Sequence, residues 1–277
     1  MTLPNLSWMV NVGELRYIQA RCEPAPRRNP DVLAGAFLPM ARRLACILHG
    51  TLLMPRLQAR PFYHYLLART KYYDQVFLDA VASGVGCIVN IGCGGDTRAY
   101  RFAPLLRQKG VRVFECDQPR AIRAKRRIAE NRWPTDHVGY VELDLESRGW
   151  TALAPLLGSQ RAPVLVMLEG VSPYISTEAF ESFLRFLAAT LGPASRLAYD
   201  FKIVDTEEEP GRRAPVERPF RLCSERSAVA AYHAALGLEV QHMELSAELS
   251  RRLAPHARAV FERDALLTLS PRAQELQ

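Results

Sequence analysis

Five short apolar runs, "CIVNIG", "VRVFECD", "HVGYVELD", "PVLVMLEG" and "SRLAYDF", recur between positions 87 and 201 with amphipathic stretches between them. Each is too short for a buried helix and apolar along most of its length rather than at alternate positions, as in a strand covered on both faces. Parallel strands need long crossovers, and the amphipathic stretches are of a kind that supplies them as helices. The fold class expected is α/β, a doubly wound and mostly parallel sheet. After the fifth run the pattern predicts a helix from Ser224 to Leu236, a strand near "LEVQHMEL" and a last strand or strand pair within "ARAVFERDALLTLS".

Ahead of the sheet the period changes. Residues 1 to 30 are weakly periodic and include "RCEPAPRRNP", whose prolines make a connector. From Phe37 to Ser83 the spacing is helical, with Met40, Leu44, Ile47 and Leu48 on one face and Leu66, Leu67, Tyr73 and Phe77 in a second stretch entered through Pro61. This predicts a helical cap over 1–83 and a core domain over 84–277. The patch "LACILHGTLLMP" is broken by His49 and Gly50 and is too short to cross a bilayer, and no Lys/Arg-led apolar leader precedes it. A cytoplasmic protein with no membrane partner is expected.

The six cysteines are scattered with no CxxC pair, which suggests neither zinc nor a disulfide framework, and no metal is expected. Cys87 and Cys116 fit as small core residues on strands. The formal net charge of +7 raises nucleic acid as a partner. Its arginines, however, are spread along the chain beside acids, as in "RRIAENR" and "CSERSA", without an interleaved aromatic stripe. No nucleic-acid partner is expected, and arginines around a cleft would favour a small anionic substrate.

Ligands of open α/β sheets bind beyond the carboxyl ends of the strands. Those ends carry Gly92, Gly94, Gly95 and Asp96, then Asp117, then Asp144, then Glu169 and Gly170, with Asp200 on the fifth run. A dinucleotide fingerprint from Gly92 would put its third glycine at Thr97, so it fails, and no Gly-Lys-Ser/Thr follows to make a Walker loop. What remains is a glycine turn and, about twenty residues on, an acid at the end of the second strand placed to accept both hydroxyls of a ribose. An acid after the third strand could hold an adenine amine. With no basic residue in the turn to meet a phosphate, an adenosine carrying a positive sulfonium fits better than a nucleotide.

Five ordered segments, "ARTKYYD", "VNIGCGGDTRAYRF", "VFECDQPRAIRAK", "ELDLES" and "LEGVSPYIS", resemble the leucine carboxyl methyltransferase-like family of class I S-adenosylmethionine (SAM) O-methyltransferases, which includes polyketide-tailoring carboxyl methyltransferases. The resemblance implies a Rossmann-like sheet of seven strands with a final antiparallel strand, an N-terminal helical lid, and SAM as cofactor. It also implies Arg69 on the methionyl carboxylate, Gly92 and Gly94 as the close-approach turn, Asp117 on the ribose, Asp144 with Leu145 on the adenine, and Glu169 near the methionyl amine. Glu146 departs from the family, whose phosphatase methyltransferases tend to carry an amide there.

Other readings of these residues stay open. Arg69 could pair with Asp74 or another acid of the cap, Asp96 with Arg98 or Arg101 reads as a structural ion pair, and Glu115 shares the face of Asp117 and could compete for the ribose. Tyr174 is either a core aromatic or a wall of the substrate site. His49, His137, His242 and His256 read as structural or exposed, and His64, which lies five residues before Arg69 in the cap, is by inference the candidate general base that a phenolic acceptor would need. The segment at about 203–223 reads either as a lid, with Arg212, Arg213, Arg218 and Arg221 to grip an anion, or as a charged solvent loop. The expected reaction is methyl transfer to a carboxylate of a small natural-product or peptide acid. A phenolic acceptor or a non-catalytic SAM-binding role are the alternatives.

Overall fold

The structure, a computed structural model, describes residues 11–158, 160, 162–204, 217–257 and 259–272. Its helices in chain order are α1 (Val12–Cys22), α2 (Met40–Leu52), α3 (Met54–Gln58), α4 (Pro61–Ala82), α5 (Arg98–Arg101), α6 (Ala103–Lys109), α7 (Pro119–Glu130), α8 (Ala154–Gly158), α9 (Thr177–Thr190), α10 (Arg226–Ala235) and α11 (Ser246–Leu253). The strands are β1 (Cys87–Ile91), β2 (Arg112–Asp117), β3 (Val138–Glu142), β4 (Val164–Leu168), β5 (Arg196–Ile203), β6 (Arg221–Leu222), β7 (Leu238–Leu245) and β8 (Asp264–Pro271). The chain forms two compact units: Met1–Gln75 with Gly95–Arg101 and Ala247–Phe261, and Val76–Gly94 with Phe102–Ser246 and Glu262–Gln277.

The second unit is built on the sheet. Its order is β3-β2-β1-β4-β5-β8-β7, with β6 pairing β5 as an eighth strand. Each of the five apolar runs forms a strand, and all pairings among them are parallel. Every residue of β1 and of β4 is buried, which is why those runs carry no polar alternation. The last strand is antiparallel to both neighbours, β5 and β7. Among the described residues of "ARAVFERDALLTLS" there is one strand, not a pair. The sequence reading of seven strands omits β6, whose two residues are too few to show a period. The core of this unit sets Phe180, Phe183 and Leu187 of α9 among Val166, Leu168, Tyr199 and Leu267 of the sheet.

The first unit packs α1, α2 and α4 around Leu15, Ile18, Cys46, Tyr63 and Leu66. Helix α1 starts in a capping box: the Glu14 N–H donates to Asn11 Oδ1 at 3.0 Å and the Asn11 N–H to Glu14 Oε2 at 2.9 Å. Segment 95–101 is held here by buried ions. Arg98 donates to Asp74 at 2.8 Å, Asp96 at 2.5 Å and the Thr70 carbonyl at 3.3 Å, and Arg101 donates twice to Asp74, at 2.8 and 2.6 Å. Segment 247–261 is held by Lys71, which donates to the Leu253 carbonyl at 2.9 Å, and by Phe261, stacked on Tyr65 at 4.7 Å between centroids.

Candidate active site

The chain leaves β1 toward β2 and β3 and later returns on its other side with β4, so the strand order reverses at β1. That switch point is where an α/β sheet opens a crevice. The register, Asn90 opposite Met167, sets the carboxyl ends of β1 and β4 side by side. Gly92 turns there with φ 63° and Gly94 with φ 40°, values that favour glycine. A Cβ on Gly92 would also collide with Val171 Cγ2, so any larger residue there would have to displace Val171 of the segment after β4.

The turn is tied directly to Asp117. The Gly94 N–H donates to Asp117 Oδ2 at 2.7 Å and the Gln118 N–H to Oδ1 at 2.7 Å. Asp117 is half-buried, and a carboxylate oxygen accepts more than one hydrogen bond, so lone pairs remain for a ligand. Glu115 is fully buried and receives Lys125 Nζ at 2.7 Å, while Lys125 also reaches the Cys93 carbonyl at 3.4 Å. That ion pair braces the turn and occupies Glu115. The Cys93 thiol is pushed up by burial, which keeps it protonated and unsuited to nucleophilic attack.

Two residues beyond β3, Asp144 Oδ1 accepts the Glu146 N–H at 3.2 Å and the Asp144 carbonyl accepts the Gly149 N–H at 3.0 Å. This folds the loop tightly around Leu145, which is buried. Glu146 turns to α9 instead: its carboxylate accepts the Ser176 N–H and, at 3.0 Å, the Ser176 hydroxyl, at the N-cap of that helix. Glu169 closes β4 half-buried. The Gly170 N–H donates to Asp200 Oδ1 at 2.6 Å and the Ser172 hydroxyl to the Asp200 carbonyl at 2.6 Å, so Asp200 fixes the turn that follows Glu169.

Tyr174 is 47% exposed, which removes the core-aromatic alternative. Arg221 lies on β6 opposite Lys202. The segment before it is tied to the start of α9: the Arg218 carbonyl accepts the Thr177 N–H at 3.0 Å, and the Phe220 N–H donates to the Ile175 carbonyl at 3.0 Å. Arg212 and Arg213 lie outside the described residues.

His64 and Arg69 belong to α4 in the first unit, and both are buried. His64 Nε2 is 2.7 Å from the Gln58 carbonyl, an acceptor only, so Nε2 carries the proton; the ring stands edge-on to His256 at 5.9 Å. Arg69 lies over the Tyr65 ring, 5.6 Å from its centroid. The expected Asp96–Arg98 ion pair is present.

Lys125 and Val171 had no role in the sequence reading, and Asp200 entered it only as the acid on the fifth run. An acid inside the apolar run "SRLAYDF" was the available signal for Asp200. Nothing local marks the other two, because their partners lie on other elements.

The profile of the leucine carboxyl methyltransferase family matches residues 18–188, more than half of the chain. The chain belongs to that family. The match includes the glycine turn, Asp117, Asp144 and Glu169, and stops short of Arg221. A relative in Mycobacteroides abscessus, provisionally named an S-adenosyl-L-methionine-dependent methyltransferase, is 32% identical over 163 residues, 57% of this chain and 52% of that one. One of the same provisional name in Mycobacterium tuberculosis strain H37Rv is 34% identical over 139 residues, 49% of this chain and 45% of that one. The chain thus spans about half the length of the curated relatives it matches. Among solved structures, magnesium protoporphyrin IX methyltransferase from Synechocystis PCC 6803 with bound SAH is 15% identical, with a TM-score of 0.47, over 76% of this chain and 86% of that one.

Proposed function

We propose that this protein transfers the methyl group of S-adenosyl-L-methionine to a carboxylate oxygen of a small natural-product or peptide acid. The observation that carries the proposal is the set of carboxylates at consecutive strand ends around the glycine turn, Asp117, Asp144 and Glu169. Such a set accepts hydrogen bonds from hydroxyls and amines and favours a positive centre. The arginines that follow the turn, Arg98 and Arg101, are bound to Asp74, which leaves the turn suited to a ligand without phosphate. The names of the curated relatives support the same donor.

In this proposal Gly92 and Gly94 allow the ligand's close approach, Asp117 accepts the ribose hydroxyls, Asp144 with Leu145 borders the adenine, and Glu169 accepts from the methionyl amine. Arg69 keeps its assignment to the methionyl carboxylate on its sequence motif alone. When bound, SAM would supply an activated methyl group with a neutral thioether as leaving group, so no acid would be needed from the protein. The chain's own part is alignment of the acceptor. Tyr174 serves as a wall of the acceptor site and Arg221 as its anion grip. A carboxylate acceptor, with a pKa around 4, is ionised at neutral pH, so His64 is not needed as a base, whereas a phenol near 10 would need one. Catalysis in the cytoplasm belongs to the same proposal. Among the described residues, no helix is long and apolar enough to cross a membrane.

The single-turnover rate with SAM tests the acceptor class. It should stay nearly flat from about pH 6 to about pH 9, because the acid is ionised throughout. A rate climbing about tenfold per pH unit over that range would replace the carboxylate by a hydroxyl acceptor.

A further inference from the structure

Helix α2 carries its large apolar side chains outward. Met40, Leu44, Leu48 and Leu52 follow one another at four-residue steps and are 64, 62, 56 and 69% exposed, with Ile47 beside them at 41%. They form the face expected from the spacing, but it is turned to solvent. The buried face is made of small residues, Cys46 and Gly50. A Cβ on Gly50 would collide with Cys22 Sγ, so α1 and α2 approach closely through small side chains and, among the described residues, leave the aliphatic ones without cover. Five aliphatic side chains on one face are a patch rather than the scatter normal for a surface.

The charge along this stretch of the chain has one sign. No Asp or Glu occurs between Asp31 and Asp74, while Arg42, Arg43, His49, Arg56 and Arg60 fall in or beside α2 and α3. At 100° per residue Arg43 borders one margin of the aliphatic stripe, and Arg42 with His49 borders the other. Arg42 is held by Glu14 at 2.5 Å. Among the described residues, no carboxylate forms an ion pair with Arg43 or Arg56.

We propose that α2 is an interfacial helix that seats this protein on an anionic lipid surface, its aliphatic stripe in the acyl boundary and Arg43 and Arg56 at the headgroup phosphates. This departs from the expectation of no membrane partner, and it does not depend on the methyl-transfer proposal. Cations at the margins of an apolar stripe match an anionic bilayer, which requires no complementary groove. A second copy is disfavoured by charge: a twofold pairing of these faces adds a second set of basic side chains to the first, with no Asp or Glu between Asp31 and Asp74 to offset Arg43.

The test is co-sedimentation of the full chain with vesicles of equal parts phosphatidylglycerol and phosphatidylcholine, against phosphatidylcholine alone. The anionic vesicles should bind the protein and the neutral ones much less, and raising salt to about 0.5 M should weaken binding. Leu44→Ser with Leu48→Ser should melt like the parent, since both sites are exposed, yet bind about tenfold more weakly or worse. Arg43→Gln with Arg56→Gln should reduce binding to the anionic vesicles only. Absence of binding by the folded chain, or binding unchanged in the leucine variant, overturns the proposal. So does a dimer in solution that the leucine variant dissolves without any lipid binding, which gives the face to a second copy, or binding to an acidic protein alone.

Discussion

Asp117 and Glu115 sit two residues apart on one strand and have different surroundings. Asp117 is half-buried and holds the turn through the Gly94 N–H, whereas Glu115 is sealed against Lys125. The ligand proposal therefore rests on Asp117, and the two acids should fail differently when replaced. Asp117→Ala should weaken SAM binding by about 2–3 kcal/mol in calorimetric titration, since two hydroxyls lose a charged acceptor, while the fold persists. Glu115→Gln should lower unfolding stability by about 3–5 kcal/mol, because Lys125 is left buried without its counter-charge, with little change in SAM affinity of the folded protein. If Glu115→Gln abolished SAM binding in a protein of normal stability, the ribose acid would be misassigned. The sequence showed both acids at the end of a strand but could not separate them, because what separates them is a lysine on α7.

At the scale of elements, the strands were legible and their accessories were not. Continuous apolar runs identify interior strands because both faces are buried. Tyr174 remained ambiguous, since aromatic character says nothing about which way a short turn faces. The stripe on α2 was visible as a stripe, but a period reveals the angular width of a face and not what lies opposite it. Glu146 is a further case: its departure from the family pattern has a structural role in capping α9 through Ser176. Glu146→Gln should cost about 0.5–1 kcal/mol in thermal unfolding, from loss of negative charge at a helix N-terminus, and leave SAM affinity nearly unchanged. A large loss of SAM affinity at unchanged stability would put Glu146 on the ligand instead.

At the scale of the whole molecule, the grouping of 95–101 and 247–261 with the N-terminal helices was hidden from any linear division of the chain, because it rests on long-range contacts such as Arg98 with Asp74 and Phe261 with Tyr65. The same burial makes stability depend on pH. His233 is fully buried, with Nε2 2.5 Å from the Tyr199 hydroxyl, and burial lowers its pKa below the ordinary 6.5. The unfolded chain therefore takes up a proton near pH 6.5 that the folded chain refuses. The stability is fully present above that value and is lost as pH falls toward the folded pKa, at up to about 1.4 kcal/mol per pH unit for one imidazole. His256, lowered chiefly by burial, adds in the same direction, and Asp31, raised by burial, opposes both once the pH enters its range. Melting temperature should drop from about pH 7.5 to about pH 5.5, and less so in His233→Gln. An equal drop in that variant would mean that the buried imidazole is not responsible.

The central claim is that this chain makes methyl esters from SAM, and the fate of the transferred methyl group tests it most directly. The protein should be incubated with methyl-labelled SAM and an extract of the cells that produce it, and the labelled product then treated with mild alkali. The account predicts label in an acidic acceptor that alkali releases as volatile methanol, and no transfer when Asp117→Ala replaces the parent at limiting SAM. Label that survives alkali, or saturable NAD binding with neither binding nor transfer from SAM, would contradict it.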